Sequence, residues 1–279
     1  MHFFFGRKLV IATKHHKETV IAPKAASQLG VLPFVPAGFD TDKFGTFSGE
    51  IDRTSDPLST ARRKCEMAME LTGVDLAIAS EGSFGPHPGY FFIPGNEEIV
   101  MLMDKRNGLE IVGRKLSTET NFDGQLCTSE EELFDFANRV FFPSHGLILR
   151  DNQGSCKNIF KGICNNEVLV KTFRMLVDLY GHAFVETDMR AHYNPMRMKV
   201  IREATDAMIE KASVSCQRCD APGFGITEVK SGLKCRQCGR PTRSPMAYMH
   251  SCSKCGFTRE EAVAHQLLED PTYCDYCNP

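Results

Sequence analysis

The 279-residue chain carries 33 Lys and Arg against 35 Asp and Glu, with 42% hydrophobic residues, 24% charged residues and no Trp. This composition excludes disorder, collagen and coiled coil, and the charge balance lacks the basic excess of a dedicated nucleic-acid binder. No apolar run approaches the ~20 residues of a membrane span, and Gly6-Arg7-Lys8 splits the early FFF and LVIAT runs, unlike a signal-peptide core. A cytoplasmic protein of one or two domains, with no membrane or nucleic-acid partner, is expected.

Residues 1–212 read as alternating strands and helices. KLVIAT (8–13) is a β-branched strand. Asp56-Pro57 opens a helix with Asp as cap and Pro in the first turn, Leu58, Ala61, Cys65 and Ala68 form its apolar stripe, and Gly73 ends it. Strand VDLAIAS (74–80) follows, then EEIVMLMD and GLEIVGRKLST joined at Asn107-Gly108, a strong hairpin signal. Thr128-Ser-Glu-Glu131 caps a helix to about Phe141, after which come strand HGLILR (145–150) and a short β segment IFKGI. Helix 166–180, strand HAFVETD (182–188) and helix 195–212 complete an expected α/β domain, a mixed sheet flanked by helices. The segment 209–215 reads as a linker to a second domain, 213–279.

That second domain holds four CxxC pairs: Cys216/Cys219, Cys235/Cys238, Cys252/Cys255 and Cys274/Cys277. Each pair can place two thiolates on one tetrahedral Zn²⁺, so two structural zinc ions are expected in a double zinc-ribbon-like fold. The gaps of 15, 13 and 18 residues favour pairing of consecutive knuckles, with a crossed arrangement as the alternative. Thr258-Arg-Glu-Glu261 before AVAHQLL reads as a capping box and short helix. With 8 Lys and Arg against 7 Asp and Glu, the tail suits stabilisation or docking of a protein partner better than gripping a phosphate backbone.

Ligand sites of open α/β sheets lie beyond the carboxyl ends of strands, and three such turns are rich in polar residues. In Thr13-Lys14-His15-His16-Lys17-Glu18, the residues Lys14, His15 and Lys17 are candidates to bind an anion such as phosphate. In Ser80 to Pro88, Glu81 suits a metal-bound carboxylate or general base, with Ser83 beside the substrate and glycines bringing backbone close to it. In Glu186 to Pro195, Asp188 and His192 are candidate catalytic groups and Arg190 a phosphate ligand. Asp40 to Arg53 adds acids, hydroxyls and glycines, among them Glu50 as a catalytic or metal-binding group and Arg53 as a substrate ligand. Carboxylates converging there with Glu81 would hold Mg²⁺ or Mn²⁺. P-loop, dinucleotide, zincin and serine-hydrolase signatures are missing, and Cys65 lies on the apolar side of its helix.

The strings IATKHHKE, FDTDKFGTFSGE, ASEGSFGPHP, TNF and DMRAHYNP resemble a bacterial domain-of-unknown-function family over most of residues 8–200, and GLKCRQCGRPT with YCDYCNP resembles a zinc-ribbon tail. More distantly, the order strand-TKHHK, helix DPLSTARRKCEMAME and strand-acid-Gly is similar to inosine triphosphate pyrophosphatases and Maf-type nucleotide pyrophosphatases. That resemblance implies Lys14 or Lys17 on phosphate, Glu50 or Asp56 with Glu81 on metal, and Lys64 supporting the site. The chain departs from those enzymes where His15 or His16 replaces the usual Asn, where Arg190 and His192 would have to stand in for a late Ser-His-Arg string, and where Pro23 interrupts the first long helix. The expected function is a Mg²⁺-dependent phosphohydrolase acting on a nucleotide-like phosphoanhydride. The alternative is a non-enzymatic anion-sensing adaptor whose zinc module binds protein or RNA.

Overall fold

The structure, a computed structural model, describes residues 3–39, 56–263 and 267–279. Its elements run β1 (Lys8–Ala12), α1 (Glu18–Leu29), β2 (Leu32–Phe34), α2 (Pro57–Thr72), β3 (Leu76–His87), β4 (Tyr90–Asp104), β5 (Leu109–Ser117), β6 (Gly124–Cys127), α3 (Glu130–Arg139), β7 (Leu147–Arg150), β8 (Ile159–Ile163), α4 (Asn166–Tyr180), β9 (Ala183–Thr187), α5 (Pro195–Ser213), β10 (Gly225–Ser231), β11 (Pro245–Ser251) and β12 (Thr258–Ala262).

The mixed sheet has the order β2-β1-β3-β4-β5, parallel across β2-β1-β3 and antiparallel from β3 to β5. Period-two alternation fixes its two faces. Leu9, Ile11, Leu76 and Ile78 pack with α1 and α5, whereas Val10, Ala12, Ala77 and Ala79 pack with α2. Each of the Val, Leu and Ile side chains among them, fully withdrawn from water, contributes about 1.5–3 kcal/mol. The chain leaves β1 for β2 on one side through α1 and returns to β3 on the other through α2, so the strand order reverses at β1. At Gly113 an added Cβ would overlap the Met208 amide and the Ala204 carbonyl; its hydrogen side chain lets the α5 backbone lie directly on β5. A second sheet, β6-β9-β7-β8, is antiparallel throughout and packs with α3 and α4.

The expected caps and hairpin are present: Asp56 accepts from the Leu58 and Ser59 amides, and Asn107-Gly108 lies in the turn between β4 and β5. Four local readings are corrected. Pro23 lies inside α1 rather than interrupting it. The segment 80–88 is not a turn, because β3 stays in register with β4 to Pro86 and, after a register shift, pairs through His87. Residues 209–213 are not linker; they form the last turn of α5 and bury Ile209 and Ala212. Residues 258–262 form strand β12 against β11 instead of a helix, so ladder pairing overrides the capping-box pattern.

Candidate functional site

The last pair of β1 with β3 is Ala12 with Ala79, so from Ser80 onward β3 overhangs the end of β1. Here the strand order reverses, the place where open α/β sheets bind ligands. Successive β3 residues face opposite sides. Ser80 accepts a hydrogen bond from Lys17 Nζ at 3.1 Å. Glu81 forms an ion pair with Lys64 of α2. Gly82 lies opposite Glu98 of β4, and Glu98 accepts from Arg197 Nε of α5 at 2.7 Å, both side chains fully buried. An added Cβ at Gly82 would strike this Glu98–Arg197 pair, so that glycine makes room for an internal ion pair rather than only for a ligand.

Three cations and two carboxylates thus meet around one strand end, each at most 8% exposed. Lys17 feels all four of the others. Burial, reinforced by the Arg197 charge, lowers its ammonium to a pKa of about 7, with Glu98 and Glu81 pulling the other way. Among the described residues, Glu98 Oε2, Thr13 Oγ1 and Asn96 Oδ1 are buried there without a hydrogen-bond partner.

A histidine wall adjoins the cluster. The ring of His192 stacks on His15 with centroids 5.2 Å apart and meets His16 edge-on at 5.7 Å. Burial, and then the Arg190 charge, lower the pKa of His192, with Asp188 opposing them. Asp188 is fully buried and grips Arg190 through Nε at 3.0 Å and Nη2 at 2.6 Å while accepting from the Gly162 amide. Arg190 lies over the Tyr193 ring at 4.6 Å. Lys17, Lys64, Glu81, His15, His192, Arg190 and Asp188 therefore fall on two adjoining surfaces. His87 does not join them, because its Nδ1 accepts from the Gly89 and Tyr90 amides in the β3–β4 turn. Asp56 is committed to capping α2, Ser83 is half-buried farther along β3, and Glu50 and Arg53 lie outside the described residues. Lys14 is exposed.

Sequence reasoning missed Glu98 and Arg197. A signal for Arg197 exists, since it shares the buried stripe of α5 with Val200, Ile201, Ala204 and Met208, where an arginine has no reason to sit without a partner. Lys64 has the same signature between Ala61 and Ala68 on α2.

The candidate metal centres are Cys216, Cys219, Cys252 and Cys255, and Cys235, Cys238, Cys274 and Cys277. Pairing is crossed, first knuckle with third and second with fourth, which corrects the expected consecutive arrangement. The cause is topological: an antiparallel strand separates successive knuckles, so β10, β11 and β12 carry the chain alternately to opposite ends of their sheet. Sulfur separations of 3.7, 3.7, 3.9 and 3.6 Å match the ~3.8 Å edge of a tetrahedron with ~2.3 Å Zn–S bonds and exclude the ~2.05 Å of a disulfide. The quartets are compatible with two structural zinc ions. The first packs through Cys216, Ala221, Phe224 and Cys252 on Leu109 of β5.

Residues 64–279 match the family described as domain of unknown function DUF6671. The chain belongs to that family. The matched range takes in Lys64, Glu81, Glu98, Asp188, His192, Arg197 and all eight knuckle cysteines of this DUF6671 chain. No curated protein matches it. Similar solved structures are protein VC0702 from Vibrio cholerae, 8% identical, covering 74% of this chain and 94% of that one at a TM-score of 0.32, and lipoprotein GNA1162 from Neisseria meningitidis, 16% identical, covering 49% and 95% at 0.20. Among the described residues no helix is long and apolar enough to cross a membrane.

Proposed function

We propose that the chain is a divalent-metal-dependent phosphohydrolase acting on a nucleotide-like phosphoanhydride. One observation carries this reading: Lys17, Lys64 and Arg197 are buried with Glu81 and Glu98 beside the point where the strand order reverses. Buried ion pairs are weak contributors to stability, since apolar side chains of similar volume often do as well, and a buried lysine whose titration is shifted beside specific charged partners favours a functional role.

In this reading Lys17 and Arg197 receive phosphate oxygens, Arg197 being held by Glu98 and by the carbonyl of Met189. An arriving phosphate favours the protonated form of Lys17. Lys64 holds the Glu81 carboxylate in place. Glu81 would supply a carboxylate to Mg²⁺, an ion that takes one or two carboxylates together with substrate phosphates. Such an ion supplies charge neutralisation and a more acidic water. His192, kept neutral near pH 7, is the group to accept the proton of the attacking water as its oxygen bonds to phosphorus and the bridging P–O bond breaks. Arg190, fixed by Asp188, meets the charge left on the departing group.

The test is an assay of purified protein on a nucleotide and phosphoanhydride panel with Mg²⁺ or Mn²⁺, following phosphate and pyrophosphate release. Metal-dependent turnover, lost by at least ~10²-fold in Glu81→Gln, is expected. A folded, zinc-loaded protein that binds pyrophosphate without turning over any member of the panel would replace this reading with the anion-sensing adaptor.

A further inference from the structure

The outer half of β3 borders a second feature, a cavity of about 380 Å³ lined by Gly85, Pro86, Phe92, Phe122, Asp123 and Glu186 among others. We propose that this cavity receives the flat heterocycle of a nucleoside phosphate, a base whose edge presents N–H donors. The proposal rests on the reading of the ion-pair cluster as a phosphate site and adds the part of the substrate that distinguishes a nucleotide from a simple phosphoanhydride.

Continuity links the two places. The Arg197 guanidinium lies 5.2 Å from the centroid of Phe84, and Phe84 meets Phe122 of the cavity wall at 5.6 Å. Along β3, Glu81 and Gly85 are four residues apart, about 13 Å at ~3.3 Å per residue, a span suited to an extended nucleoside di- or triphosphate. Size agrees as well: 380 Å³ lies toward the small end of the roughly 300–1,000 Å³ of ligand pockets, enough for one base.

Charge separates the two ends. The cluster sets Lys17, Lys64 and Arg197 against two carboxylates, whereas the cavity lining contains Asp123 and Glu186 and no lysine or arginine, these two carboxylates being held by Arg139 and Arg150 outside the lining. Ionised carboxylates only accept hydrogen bonds, so the lone pairs that these arginines leave open select a ligand that donates. Phe92 and Phe122 are exposed and offer faces on which a base can stack, a contact worth about 1–3 kcal/mol in other proteins. At Gly85 an added Cβ would meet nothing within 4 Å, so the floor is open because no side chain fills it.

The experiment titrates guanosine, adenosine, cytidine and uridine diphosphates and inorganic pyrophosphate against the full zinc-loaded chain and two variants, Gly85→Leu and Phe122→Ala. Guanosine diphosphate, with two adjacent N–H donors on its base, should bind tightest and at least tenfold tighter than pyrophosphate. Both variants should weaken it at least fivefold while leaving pyrophosphate within twofold of wild type. Phe122 is partly exposed, so its truncation keeps the test available if Gly85→Leu does not fold. Equal affinity for all four nucleotides and pyrophosphate, unmoved by either variant, would overturn the base subsite and leave the phosphate site standing. Failure of pyrophosphate and every nucleotide to bind would overturn both.

Discussion

Lys17, the residue that precedes α1, places its ammonium 3.1 Å from Ser80 Oγ on β3. This contact joins the start of the first helix to the strand end that carries Glu81, and it keeps the lysine 93% buried, 7% of its surface remaining exposed. Its burial beside Arg197 explains its shifted titration.

The ammonium has a pKa of about 7 against an ordinary 10.5, so Lys17 in the free protein loses its charge as pH rises through neutrality. Sulfate, which does not titrate in this range, should bind more weakly above pH 7, by up to about tenfold per pH unit. Lys17→Met should abolish that part of the slope and leave the histidine-dependent part below pH 6.5. The stability sign is opposite: between about 7 and 10.5 the unfolded chain binds more protons than the folded one. Lys17 therefore makes stability rise with pH across that window, and its penalty is full below it. Denaturant midpoints of wild type and variant between pH 6 and 9 check the sign.

Arg197 and Glu98 are each fully buried, so removing one strands the other. Arg197→Met should cost about 3–5 kcal/mol, whereas the double variant Arg197→Met with Glu98→Leu should recover much of that loss. Urea unfolding followed by circular dichroism measures both.

The crossed knuckles make a metal-counting prediction. Cys216→Ser with Cys252→Ser damages one quartet and should leave one zinc per chain, while Cys216→Ser with Cys235→Ser damages both and should leave none. Consecutive pairing would give the reverse. Full chelation should unfold the tail, because structural zinc supplies folding free energy directly, and should expose Leu109 and Phe224, which pack at the first quartet.

At Gly113, alanine should force α5 away from β5, since its Cβ would overlap the α5 backbone; a loss of about 1–3 kcal/mol is expected. Gly85→Ala, whose Cβ enters open space, should be close to neutral. The pair of midpoints separates a packing requirement from a general intolerance of side chains on these strands.

Much of the fold is legible where information is local. Alternation in Leu9 to Ala12, the Asp56-Pro57 cap and Asn107-Gly108 each state their own structure over a few residues. The Ser80 to Pro88 segment is misread because Gly82, Gly85, Pro86 and Pro88 are turn formers, and the reason for Gly82, the Glu98–Arg197 pair, lies elsewhere in the chain. That pair spans 99 positions, and no local pattern announces it, although an arginine on the buried stripe of α5 marks one member. The knuckle cysteines are legible as metal ligands from their spacing alone, but their partnership depends on the direction of the intervening strands. The capping-box pattern of Thr258 to Glu261 hides strand β12, which supplies one of those reversals.

The central claim is that the strand-end cluster binds phosphate, and calorimetric titration of the full zinc-loaded chain with inorganic pyrophosphate at pH 6.5, wild type against Lys17→Met and Arg197→Lys, tests it most directly. Saturable one-site binding, weakened at least tenfold in each variant while zinc content stays at two per chain, is the predicted result. Binding of equal strength in all three proteins, or none in the folded wild type, would contradict it.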